Sequence, residues 1–186
     1  RDKLFQEITD RITKKEDSVP ISLKNYEYFR RYEPENEYAI YIRRKNKNSE
    51  EIVLLDVNEL AHGKDFYQLA NWSISPSESL MAYAEDINGR RQYSIKFKDL
   101  IKGETYDYVI ENTSGDMAWS AEGDYLFYVL RDEETLLPHK VFRHKVGTSQ
   151  DTDELVYEEK DTTFYLSVGN TPVSYTHLTL PTRAQV

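Results

Sequence analysis

Apolar and polar positions alternate most clearly from Tyr93 to Phe97: Tyr93, Ile95 and Phe97 fall on one face of a strand, Ser94 and Lys96 on the other. Leu80 to Ala84 is apolar at nearly every position, which suits a strand buried on both faces, with a short buried helix as the other reading. Between them, Asn88-Gly89 supplies the two positive-φ residues of a type I′ turn. Trp72 to Leu100 therefore reads as a single antiparallel hairpin behind a Ser75-Pro76 turn.

This unit recurs. A shift of 45 positions sets Ser75–Tyr83 against Ser120–Tyr128, turn on turn and strand on strand. Val141–His144 answers Ile95–Lys98 at a shift of 46, while Trp72 and Trp119, ahead of the two turns, lie 47 apart. A looser copy precedes them, with Tyr38–Arg44, a polar turn at 46–49 and Ile52–Val57. A period in the mid-forties built from short strands predicts an all-β fold, a partial β-propeller of about three four-stranded blades.

Ahead of the repeats, Leu4, Phe5, Ile8 and Ile12 share one face over 2–15 and predict an amphipathic helix that stops before Pro20. Tyr26–Tyr32 reads as a strand, and Asp56–Gly63 as a polar connection or one helical turn. Farther along, Tyr106–Ile110, Val141–Val146 and Leu155–Glu158 read as strands, Glu111–Gly115 as the closure of a blade, Arg131–Thr135 as a charged outer loop, and Thr162–Val168 as the start of another unit. The turn-and-strand order breaks at about Pro172.

Composition narrows the function classes. Net charge is −9 and the Lys and Arg residues are scattered, which is unlike a nucleic-acid-binding stripe. No apolar run approaches the length of a membrane span, so neither nucleic acid nor membrane is an expected partner. The absence of Cys excludes disulfides, thiolate metal sites and a Cys nucleophile in these residues and fits a reducing cytoplasm. The chain starts at Arg1 rather than Met, as expected of a fragment.

Candidate chemistry is sparse. His139 and His144 are five apart in a segment read as loop and strand, a poor metal pair with a structural or solvent role favoured. Asp151-Thr152-Asp153-Glu154 lacks the Gly and distal Glu of a calcium loop and reads as a solvated rim. Glu85, Asp86, Arg90 and Arg91 read as a surface charge ladder across the hairpin, with an interdomain contact as the sharper alternative. No catalytic, cofactor-binding or metal residue is assigned, and no cofactor is expected.

Several separate stretches then point one way. LLDVNE at 54–59, GRRQY at 89–93, IENTSG at 110–115 and YEEKDTTFY at 157–165 resemble the propeller part of the oligopeptidase B branch of the prolyl oligopeptidase family, over about Leu4–Val168. The resemblance implies a serine oligopeptidase in which a propeller of about seven blades filters substrates by size and caps an α/β-hydrolase domain cleaving short peptides after Lys or Arg. It implies that 1–16 is helical and packed on that hydrolase domain and that 17–171 is a partial propeller; separately, 172–186, whose VSYTHLTLPT resembles translated sequencing adaptor, is set aside as non-native, a native Thr-rich strand being the alternative. The family's Gly-x-Ser-x-Gly nucleophile elbow occurs nowhere in the 186 residues, so this portion is expected to be inactive alone. The rival reading is a stand-alone propeller scaffold. Acyl-peptide hydrolases share the architecture but not the quoted stretches.

Overall fold

The structure, a computed structural model, describes residues 2–13 and 15–171 and the backbone of 176–183. Of the tail set aside above, 172–175 and 184–186 lie outside the described residues. The chain divides into two compact units, Arg1–Lys64 and Asp65–Val186.

In the first unit, helix α1 (Asp2–Asp10) is followed by β1 (Glu16–Asp17), β2 (Ile21–Leu23), β3 (Tyr26–Tyr32), β4 (Ile40–Arg44), β5 (Ile52–Asp56) and helix α2 (Val57–Ala61). The strands form one antiparallel sheet in the order β1-β3-β4-β5, with β2 also on β3. The leading helix is shorter than expected. Thr9 Oγ1 donates to the carbonyls of Phe5 and Gln6, and the amides of Arg11 and Ile12 bond three residues back, closing the last turn in tighter geometry. Glu16-Asp17 is a strand because it pairs with Tyr32 and Arg31. The 56–63 segment contains a helix because Asp56 caps it, its carboxylate accepting from the Asn58 amide at 2.9 Å.

In the second unit, seven strands form one antiparallel sheet in chain order: β6 (Gln68–Ile74), β7 (Leu80–Asp86), β8 (Tyr93–Asp99), β9 (Thr105–Trp119), β10 (Tyr125–Arg131), β11 (Pro138–Lys145) and β12 (Glu154–Glu158). β13 (Phe164–Asn170) and β14 (Thr176–Arg183) make a separate hairpin. Strand β9 joins two four-stranded blades. Its first part pairs with β8, as in Ile110 opposite Ile95, and its last part with β10, as in Trp119 opposite Leu126. The segment expected to close a blade is thus continuous strand. The chain changes partner there through two left-handed residues, Asn112 at φ 59° and Gly115 at φ 87°. A Cβ on Gly115 would lie 3.2 Å from the Tyr93 ring, so glycine serves both the backbone and the close approach.

The 45-residue repeat is a repeat of turn chemistry. The Leu80 amide donates to Ser75 Oγ and the Tyr125 amide to Ser120 Oγ, each at 3.1 Å, and the left-handed fourth position is Glu78 in one turn and Gly123 in the other. By strand pairing, Ile74 opposite Met81 matches Trp119 opposite Leu126, which explains the slipped tryptophan spacing. One core cluster gathers Ala82, Ile95, Phe97, Ile110, Trp119 and Tyr128. On the other face, Ala118, Val129 and Val141 receive Leu166 and Val168 of β13, and the Asn170 side chain bonds both backbone groups of Trp119. Four-stranded antiparallel blades succeeding one another in chain order, in sheets that do not close on themselves, make this a partial β-propeller.

Candidate functional site

Two buried polar clusters stand at the ends of the blade strands. β7 delivers Glu85 and Asp86 into the interior at 3% and 1% exposure, which corrects the expected surface ladder. Glu85 Oε1 lies 2.6 Å from Lys96 Nζ on the neighbouring strand, and Glu85 Oε2 accepts from the Tyr67 hydroxyl at 2.8 Å. Lys96 meets Glu85 because Tyr83 is its direct cross-strand partner and Glu85 its diagonal one. Burial first, and then the adjacent carboxylate, push the Tyr67 hydroxyl far above its ordinary pKa and that of Tyr83 up to about 12.

The Asp86 carboxylate takes no ion partner across the hairpin. Its Oδ1 accepts from the amides of Asn88 and Gly89 at 2.8 and 2.9 Å, and its Oδ2 from the amide of Arg91 at 2.7 Å. The expected two-residue type I′ turn is therefore a six-residue loop, 87–92, whose left-handed residues are Gly89 and Arg91. A buried carboxylate organises this loop in place of the turn dipeptide.

The second cluster joins β10, β11 and the 147–153 loop. His144 Nδ1 lies 2.8 Å from Asp153 Oδ1, and the Tyr128 hydroxyl donates to Asp153 Oδ2 at 2.9 Å. The His144 ring stacks on Phe97 and lies against Tyr108. Burial is the main cause holding the Asp153 carboxyl above its ordinary pKa, and the hydrogen bonds from His144 and Tyr128 oppose it. Asp153 is thus no part of a solvated rim, whereas Asp151 and Thr152 are exposed. Gln150 fastens the same loop to β9 through both backbone groups of Glu111. A surface groove of about 460 Å³ lies between them, lined by Tyr108, Glu111, Ser149 and Asp151 among others.

An aspartate orienting a histidine is two-thirds of a hydrolytic triad, but no hydroxyl bonds His144 Nε2, which is buried. The pair is a packing element. His139 stands apart, with Nδ1 3.3 Å from the Leu137 carbonyl. Among the described residues no group of three His, Asp or Glu could hold a metal ion. Lys96, Tyr67 and Tyr128 take their places in these clusters only through partners distant in sequence. On the first unit, Leu4, Phe5 and Ile8 of α1 and Ile12 just beyond it are all more than half exposed, so α1 presents an uncovered apolar stripe.

Comparison with known proteins accounts for the blades. The family described as prolyl oligopeptidase, N-terminal beta-propeller domain, matches residues 1–174. The chain belongs to this family. It is 39% identical to dipeptidyl aminopeptidase BI of Pseudoxanthomonas mexicana over 184 residues, and 32% identical to protease 2 of Moraxella lacunata over 176. Each match covers 90% of this chain and 25% of the relative. The structure of oligopeptidase B from Leishmania major superposes with a TM-score of 0.86 at 30% identity, over 91% of this chain and 24% of that one. This propeller chain thus spans about a quarter of the length of the curated relatives it matches, and its family is one of peptidases.

Proposed function

We propose that this chain is the non-catalytic propeller portion of a serine oligopeptidase that cleaves short peptides after Lys or Arg. The propeller walls the active-site cavity and admits substrates by size. The observation that carries the reading is the conjunction of a family match over 1–174 with the absence of any Gly-x-Ser-x-Gly elbow in the same residues. The uncovered stripe of α1 supports it, because an amphipathic helix is stable when another surface covers its apolar face, and a hydrolase domain supplies such a surface. The similarity to protease 2 and to oligopeptidase B favours a peptidase acting on oligopeptides, and cleavage after Lys or Arg is what the resemblance of the quoted stretches implies.

A second reading follows from the 39% identity to a protein named dipeptidyl aminopeptidase BI: removal of dipeptides from a free N-terminus. One experiment separates the two. The full-length protein is incubated with a peptide carrying an internal Arg, with its N-terminus free or acetylated. Cleavage after Arg in both forms supports the first reading; stepwise dipeptide release from the free form alone replaces it with the second.

A further inference from the structure

Asn88-Gly89 is the sole Asn-Gly pair in the sequence, and both residues are exposed at the tip of the β7–β8 loop. In such a pair the main-chain nitrogen of the glycine can attack the side-chain carbonyl carbon of the asparagine, because glycine has no Cβ to hinder the approach. Here that nitrogen is already engaged, its N–H donating to Asp86 Oδ1 at 2.9 Å. The same carboxylate holds the amides of Asn88 and Arg91, and is itself 1% exposed.

We propose that Asn88 is a site of spontaneous deamidation and that Asp86 holds the reaction in check in the folded protein. The Gly89 nitrogen loses its proton and forms a bond to Cγ of Asn88, the Cγ–NH2 bond breaks, and ammonia leaves a cyclic imide. Water then opens the imide at either carbonyl to give aspartate or isoaspartate, so that one water enters for each ammonia released. Ring closure requires the Gly89 N–H to leave Asp86, so a charge-assisted hydrogen bond must break first. The negative carboxylate also opposes the deprotonation of that amide and the oxyanion that forms on ring closure. Isoaspartate would route the main chain through a side-chain carbon and lengthen the 87–92 loop. Either product places a new negative charge next to Arg90 and Arg91.

The test is mass spectrometry of the full-length protein, incubated in mildly alkaline buffer, with the gain at Asn88 localised by peptide fragmentation that distinguishes aspartate from isoaspartate. Three samples are compared: native protein, protein in guanidinium, and Asp86→Ala. Native Asn88 reacts about tenfold or more slowly than in the denatured protein, the factor that one hydrogen bond to a charged group supports, and Asp86→Ala removes most of the difference while retaining its near-UV circular dichroism. Equal rates in native and denatured protein, or a folded Asp86→Ala with the native rate, overturn the proposal. Amide exchange in the unsubstituted protein gives a measurement that does not depend on the variant folding. Protection of the Gly89 amide supports the proposal, and free exchange overturns it.

Discussion

His144 Nδ1 sits 2.8 Å from Asp153 Oδ1, with the two side chains 0% and 2% exposed. Replacing Asp153 with Ala strands the imidazole N–H and the Tyr128 hydroxyl in the interior. The expected loss is about 3 kcal/mol, measured by chemical denaturation. Asp153→Asn keeps the shape and one acceptor and costs less, about 1–2 kcal/mol. Equal losses from the two variants would contradict this, because the shape and the one acceptor that Asn keeps would then contribute nothing there.

The equivalence of Ser75 and Ser120 makes a paired prediction. Each hydroxyl accepts from the amide five residues on, at 3.1 Å. Ser75→Ala and Ser120→Ala each lower stability by about 1 kcal/mol, the typical net value of one such bond. A large effect at one site and none at the other would contradict a shared turn.

Acid acts on the first unit through Asp17. Its bidentate hydrogen bonds with Arg31 hold the carboxyl below its ordinary pKa. As pH falls, the unfolded chain takes up this proton before the folded one does. Stability from the pair is therefore complete above the ordinary carboxylate range and declines as pH falls through that range towards the depressed folded value. Asp17→Asn flattens this part of the stability–pH curve, while an unchanged slope would assign the acid limb to other groups.

The stripe of α1 predicts a split between stability and function. Since Leu4 and Ile8 are 61% and 55% exposed, Leu4→Ser with Ile8→Ser leaves the unfolding of the 186-residue chain within about 0.5 kcal/mol. In the full-length protein the same change lowers thermal stability and activity together. Loss in the short chain alone would place the stripe against the propeller.

Much of the fold was legible because its signals are local. Alternation located β8, continuous apolarity located β7, and the turn serines located the repeat. Where local signals misled, a distant partner had overridden them. Asn88-Gly89 resembles a tight hairpin turn, yet the Asp86 carboxylate arranges a longer loop. Asp153 lies in an acidic run that reads as solvated, and only the fold brings it to His144, nine residues back. Glu85 could not be known as buried without Tyr67 and Lys96 beside it. Asn112 and Gly115 resemble a closing loop, though the ladder on either side belongs to one strand passing between blades.

The central claim is that these residues shape a peptidase without performing its chemistry. The most direct test is to treat the purified 186-residue chain, and separately the full-length protein, with a fluorophosphonate that labels activated serines. The account predicts inhibitor-sensitive labelling and cleavage of an arginyl substrate by the full-length protein and neither by the chain alone. Specific labelling of the chain itself, or its inhibitor-sensitive turnover of the arginyl substrate, would contradict it.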